Sequence, residues 1–318
     1  MTNLAKKNLL LILLIFLIST FINAESIDIS QSDEISLLEN SYTYFSKEPI
    51  TLQKIIKKNL FIPYKKSQIN IGASRKTIWI KLHLQNSTSK DIEKSLIFTS
   101  ALLEYIALYQ KETNGTYTTP IIKGVSHIDK THSTLFPYFA VKLNAHSSEE
   151  YYIEVKSLYE PIDFRVLVKN RVDYLHEDQI QQFINIILIG MVVAFMLYSL
   201  LLSFYTKDKS YRYYSLYLFM LIYQQLTYLG LTQIYFPHYL AMIDIQIPVI
   251  KINILLITAA LFAISFLKIP KQSILYKIYK YFILIAFFEI IILSLPNMYN
   301  LDIVIITGLL FIIFNLIA

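Results

Sequence analysis

The chain contains no cysteine and only six glycines among 318 residues. The first absence removes disulfides, thiol nucleophiles and thiolate metal sites, so a folded domain here must hold together through its core alone. The second leaves no Gly-rich phosphate loop. Tryptophan occurs once, as Trp79. No Ser/His/Asp constellation and no pair of catalytic carboxylates stands out, so an enzyme is not expected. The histidines are scattered. His127 and His132 flank Asp129, but a metal site needs further ligands at fixed geometry, and neither a metal nor another cofactor is expected.

A basic patch is missing too. The net charge of +6 would suit a nucleic-acid binder, yet Glu25 to Asp178 carry 19 Lys/Arg against 19 Asp/Glu. The excess lies in the first residues and in short segments between apolar runs, where it reads as membrane topology rather than phosphate binding. No nucleic-acid partner is expected.

What the chain has in abundance is apolar sequence: 55% hydrophobic residues and a mean hydropathy of +0.46. Lys6 and Lys7, the apolar run Leu9 to Ile18, and Ile22-Asn23-Ala24 before Glu25 make a secretory signal over 1–24. About 155 mostly polar residues follow. From Phe183 onward, helix-length apolar segments alternate with short polar ones. Spans are expected at Phe183–Tyr205, Tyr213–Tyr235, Ile247–Leu267, Tyr281–Leu295 and from Ile303. The chain stops within the last of these, which predicts a reading frame continuing past Ala318. Lys207, Lys209 and Arg212 follow the first span and Lys268, Lys271, Lys277 and Lys280 the third; the alternate loops carry Asp244 and Asp302. The positive-inside rule places the basic segments in the cytoplasm and residues 25–180 outside, which suggests a bacterial inner membrane with a periplasmic N-terminal domain.

In the exported part, a helical run is expected around Ile35–Tyr44 and an amphipathic helix over Thr51–Asn59 with Thr51 as N-cap. Strands are expected at Thr77–Gln85, Ser95–Thr99, Glu104–Gln110, Tyr138–Leu143, Tyr151–Val155 and Ile162–Val168, with an Asn-Gly hairpin turn at 114–115. The fold class is a β-sandwich (jelly-roll-like) over 25–168, a helical stalk over 169–182, and an all-α polytopic membrane domain over 183–318.

Several segments together resemble a known family. They are Tyr44-Phe45-Ser46-Lys47-Glu48-Pro49-Ile50-Thr51, Ile71-Gly72-Ala73-Ser74, Trp79-Ile80-Lys81-Leu82-His83-Leu84-Gln85-Asn86, Leu103–Tyr109 and Tyr151–Ser157. In the apolar half they are Asp208–Tyr217 and Phe266-Leu267-Lys268-Ile269-Pro270. Their order is similar to that of the bacterial seven-transmembrane receptors with diverse intracellular signalling modules. The resemblance implies a jelly-roll sensor domain of the second extracellular type, related to carbohydrate-binding modules. It further implies seven helices leading to a diguanylate cyclase, histidine kinase or phosphatase module. That output lies outside this chain, and a homodimer or a separate signalling partner is compatible with the resemblance.

Alternation in Ile78–Gln85 puts Ile80, Leu82 and Leu84 on one face and Trp79, Lys81, His83 and Gln85 on the other. Trp79, Lys81, His83, Tyr138, Tyr152 and Arg165, with Glu154 in the same phase, form a candidate ligand face for a carbohydrate or small envelope molecule. The competing expectation packs Trp79 under a loop or the N-terminal helices. Glu289 is the single acid within the spans, expected near Gln224 or Gln225, while Lys251 is expected to snorkel. Glu112-Thr113-Asn114-Gly115-Thr116 fits an acidic glycosylation sequon, making Asn114 a candidate modification site. A transporter with an attached binding domain and a structural envelope-interaction module are the alternative readings.

Overall fold

The computed structural model describes residues 26–30, 34–112, 115–128, 134–295 and 298–317. The signal segment, Asn114, Asp129 and His132 lie outside them.

The N-terminal part is a β-sandwich. Its larger sheet runs β4 (Ile62–Tyr64), β3 (Ser41–Ser46), β6 (Thr77–Gln85), β11 (Ser148–Lys156), β8 (Tyr105–Gln110) and β9 (Ile121–Lys123), all antiparallel, and β1 (Ile27–Asp28) joins the end of β6 in parallel. The second sheet runs β10 (Tyr138–Leu143), β7 (Ile92–Phe98), β13 (Val166–Asn170) and β2 (Glu34–Ser36). A short pair, β5 (Ile69–Gly72) with β12 (Ile162–Phe164), closes one edge. Period-two alternation builds the core: Ile78, Ile80, Leu82 and Leu84 of β6 are fully buried against Leu96, Phe98, Phe139 and Val141 of the second sheet.

The motif that ends β6 has a structural reason. Asn86 is fully buried, and its amide donates to the carbonyls of Lys90 at 2.8 Å and Asn144 at 2.9 Å. It ties the β6–β7 corner to the β10–β11 corner, so the chain turns without orphaned backbone groups. Beside the Asn-Gly position, the Glu112 amide donates to the Thr116 carbonyl at 2.9 Å and Gly115 has φ +84°, while Asn114 itself is outside the described residues.

Three expectations change. Ile35–Tyr44 is not a helix. It divides into β2, a 3-10 turn at Leu38–Asn40 and β3, because Leu37 and Leu38 are drawn into the core and cannot share one helical stripe with exposed neighbours. The amphipathic helix is α1 (Leu52–Lys57), shorter than expected, and Thr51 makes no side-chain cap bond. The stalk does not begin at Lys169: Lys169 and Asn170 complete β13, and α2 (Arg171–Thr206) starts at the next residue.

That helix of 36 residues merges stalk and first span without a break. It is followed by α3 (Lys209–Tyr228), α4 (Leu231–Tyr235), α5 (His238–Gln246), α6 (Pro248–Phe266), α7 (Ile274–Leu293) and α8 (Leu301–Ile317). The expected second span is interrupted at Gly230, whose φ of +75° ends α3 and starts α4. Lys277 and Lys280 sit in α7 rather than in a loop, and Asp244 sits in α5. By length and composition, α2 and α6 can each cross a membrane, and α8 is apolar but shorter. α2 packs on α3, α3 on α6, and α6 on α7 and α8. Large apolar side chains such as Phe195, Leu201, Phe219, Phe287 and Leu309 point outward from this bundle, which in water would be untenable and in lipid is ordinary.

Candidate functional site

The sequence-derived ligand face is mostly closed. Trp79 points away from the main core, as the alternation requires, but it is 1% exposed. α1 lies over it: Leu52 and Ile55 pack with Trp79 and Tyr152 in a second small core, bordered by Tyr44, Phe61, Tyr109 and Tyr117. The Trp79 and Tyr109 rings are 5.8 Å apart, and Tyr152 (2% exposed) meets Tyr117 edge-on at 5.4 Å. Neither Trp79 nor Tyr152 offers a free ring face for a sugar. The correction has a simple cause: alternation tells which side a residue faces, not whether a helix covers that side.

The polar residues of that face remain accessible. Lys81 lies 3.0 Å from Glu150, and Lys111 reaches the same carboxylate at 2.9 Å. Desolvation works to raise the Glu150 pKa, but hydrogen bonds from Lys111 and Lys81 prevail and hold it at about 2. His83, half-buried, sits opposite Glu150 in the strand register. Tyr138 and Arg165 do not join this group. Tyr138 is buried on the second sheet, its ring 5.3 Å from Tyr174 of α2. Arg165 is exposed at the β12–β13 corner.

A second polar site lies where the sandwich meets the helices. The Tyr174 hydroxyl donates to the Phe136 carbonyl at 2.9 Å, and Asp178 accepts from the Leu135 amide at 2.9 Å. Gln233 donates to the Ala101 carbonyl, and Tyr299 to that of Tyr159. A Cβ added at Gly230 would stand 2.8 Å from both the Ala101 Cβ and the Leu135 carbonyl oxygen, so the two parts touch backbone to backbone there. Ala73 packs beside Val249, Leu293, Leu301 and Val304 at the helix ends. The basic segments lie at the opposite helix ends.

Sequence reasoning missed the central group of this junction. Lys251 does not snorkel: it is 2% exposed and 2.8 Å from Asp244, itself 1% exposed. The Thr227 hydroxyl donates to the same Asp244 oxygen at 3.0 Å, and Lys251 donates to Thr227 at 3.1 Å. Among the described residues the other Asp244 oxygen is buried without a hydrogen-bond partner. Glu160, from the sandwich, is 8% exposed and lies within electrostatic reach of this pair. Burial pushes its pKa up to about 7; Lys251 opposes that, while Asp244 and Glu104 add to it. Glu104 positions the segment, accepting from the amides of Leu158 at 2.8 Å and Tyr159 at 2.7 Å. The only available signal was a lysine and an aspartate flanking Ile247-Pro248, and the sequence placed them in separate roles.

Beside this network is a cavity of about 780 Å³ lined by both parts, with Arg165, Glu160 and Thr99 from the sandwich and Gln181, Gln224 and Ile305 from the helices. Deeper in the bundle, Glu289 is 8% exposed and faces inward; its partner is Thr307 at 2.5 Å rather than Gln224 or Gln225. Among the described residues no cluster of three or more His, Asp or Glu could hold a metal.

A sandwich seated on apolar helices, joined by a continuous helix and a buried polar network, defines an extracellular-domain membrane receptor architecture. The comparisons agree with it. The family model "7TMR-DISM extracellular 2" matches residues 34–168 and "7TM diverse intracellular signalling" matches 181–318. The chain belongs to this family of seven-transmembrane receptors, in which a sensor domain precedes a membrane signalling module. A search of curated proteins finds no significant match. Among solved structures, a β-glucosidase from Kluyveromyces marxianus in complex with glucose aligns at 11% identity and TM-score 0.27, over 44% of this chain and 18% of that one. A family 6 carbohydrate-binding module aligns at 10% identity and TM-score 0.21, over 45% of this chain and 95% of the module. The chain thus spans less than a fifth of the β-glucosidase's length.

Proposed function

We propose that this protein is a sensor of the bacterial inner membrane whose jelly-roll-like sandwich, exported by the signal at 1–24, captures a small molecule or carbohydrate in the periplasm. Capture is passed to the helices and on to a cytoplasmic output module or partner. The observation that carries this reading is the passage from β13 directly into α2, with Asn170 ending the strand and Arg171 starting the helix. With no loop between them, a shift of the second sheet must move the top of a membrane helix. A ligand drives such a shift only if it binds one arrangement more tightly than the other. Lys81, His83 and Arg165 are the sequence-derived residues left accessible to meet it.

The test uses the full chain in nanodiscs, with Lys207→Cys carrying an environment-sensitive fluorophore at the far end of α2; with no native cysteine, the label is unique. A panel of mono- and oligosaccharides and small carboxylates should contain a member that raises the unfolding temperature and changes the emission. A panel without any stabiliser, or binding that leaves the emission unchanged, contradicts the proposal.

Transport is the second reading, favoured by one observation: Glu289 is buried among the helices with one oxygen lacking a partner among the described residues. Solute uptake into vesicles that fails in Glu289→Gln would install it in place of sensing.

A further inference from the structure

The cavity at the junction has the chemistry of a site. Its volume of about 780 Å³ lies within the range of small-molecule pockets, roughly 300–1,000 Å³. Its walls divide by character. Leu102, Phe164, Leu229, Ile252, Leu301 and Ile305 supply an apolar side, contributed by sandwich and helices together. On the polar side, the carboxylates Glu160 and Asp163 stand among hydroxyl and amide groups that can donate or accept. The Glu160 carboxylate lines the cavity, is more than nine-tenths buried, and accepts no hydrogen bond among the described residues. The Gln224 side-chain oxygen is buried with no donor among the described residues. Asp163 is satisfied by Gln68 and by Asn70 at 3.3 Å. Arg165 is the single cation among the lining residues, against the two acids Glu160 and Asp163. Lys251 is already committed to Asp244 and Thr227.

A buried acid and a buried amide oxygen, both wanting donors, call for a group that brings several donors and a positive charge. We infer that the junction cavity binds a ligand carrying a primary ammonium on a short apolar body, with the ammonium at Glu160 and Gln224 and the body along Ile252, Leu301 and Ile305. Either a soluble amine or the ammonium head of an outer-leaflet phospholipid has this chemistry. Such a ligand touches the sandwich and the helices at once, so its binding energy depends on how the two parts are docked. Its effect on signalling rests on the sensor reading; its binding does not. Burial favours the protonated form of Glu160, whereas the ammonium needs the ionised one, so binding strengthens as pH rises toward about 7 and releases a proton.

The experiment takes the full chain in phosphatidylglycerol nanodiscs and titrates hexylammonium, hexanoate and hexanol by thermal shift and calorimetry. Hexylammonium should stabilise saturably and the other two should not. Glu160→Gln should weaken hexylammonium binding at least tenfold. Glu160→Asp, which keeps the charge and serves if the amide variant fails to fold, should retain part of it. In phosphatidylethanolamine nanodiscs, loss of the added-amine response identifies the lipid head as the occupant and its persistence identifies a soluble amine. Equal stabilisation by hexanol, no response to hexylammonium in phosphatidylglycerol, or full binding by Glu160→Gln overturns the proposal. The saccharide panel is read separately, so failure here leaves the sandwich's own ligand untouched.

Discussion

Lys251 and Asp244 come from separate helices, α6 and α5, and their charged groups meet at 2.8 Å with 2% and 1% of the side chains exposed. The break between the helices at Ile247, followed by Pro248 in the first turn of α6, lets two residues seven apart face each other. An ion pair so enclosed adds little net stability, but losing one partner strands the other charge. Lys251→Met or Asp244→Asn alone should therefore cost on the order of 3–5 kcal/mol, and Lys251→Met with Asp244→Leu should recover most of it. Unfolding of the reconstituted chain by heat or denaturant reads this directly. Single variants within about 1 kcal/mol of the parent would show that water reaches the pair.

Trp79→Ala tests which face of the larger sheet is closed. With the indole clamped between α1 and Tyr109, truncation leaves a cavity and should destabilise the sandwich by roughly 3–5 kcal/mol. Residues 50–61 should then become susceptible to limited proteolysis. An unchanged unfolding temperature with lost saccharide binding would instead mean that Trp79 stacks on a ligand.

Gly230→Ala should loosen the docking without unfolding either part. The substitution is strained at φ +75°, and its methyl collides with Ala101 and the Leu135 carbonyl. Amide hydrogen exchange should accelerate at residues 99–102 and 134–136 while the centre of β6 stays protected. Unaltered exchange in those two segments would contradict the close approach.

Glu160 gives a pH dependence with a definite sign. In the unfolded chain its carboxyl ionises near 4.5; folded, burial keeps the proton until about 7. Between those values the folded state holds the proton that the unfolded state has released, so rising pH favours unfolding. The contribution of Glu160 is fully present below pH 4.5 and is lost as pH climbs through about 7, roughly 3 kcal/mol in all. Unfolding midpoints from pH 4.5 to 8 should fall less steeply in Glu160→Gln than in the parent. Identical slopes would remove Glu160 from the network.

How far the sequence anticipates the structure depends on whether the signal is local. β6 and β10 were legible to the residue because their alternation is unbroken and their ends are marked, β6 by Asn86. Ile162–Val168 also alternates throughout, with Ile162, Phe164, Val166 and Val168 buried, yet it serves two sheets. Nothing local marks Arg165 as the point where the strand changes partners. Residues 35–44 misled because their apolar spacing suits a helix as well as two short strands around a 3-10 turn.

The candidate site shows the same division. The phase of Trp79, Lys81 and His83 was correct, but the cover provided by α1 is a tertiary fact. Tyr138 was consumed by Tyr174, a contact between segments that composition treats as unrelated. Glu289 stands out in the sequence because a lone acid in an apolar run is conspicuous. The junction network escaped because in sequence Lys251 has a snorkelling role and Asp244 a loop position, and only folding brings them together with each other.

The central claim is that sandwich and helices form one docked unit through which a ligand's effect passes. Spin labels on Lys156→Cys, exposed on the sandwich, and Tyr239→Cys, exposed on α5, measure it by pulsed dipolar spectroscopy. Docking predicts a single narrow distance distribution in nanodiscs, which Lys251→Met broadens. A broad distribution in the parent chain, unchanged by Lys251→Met, would show the sandwich riding freely on α2 and contradict the account.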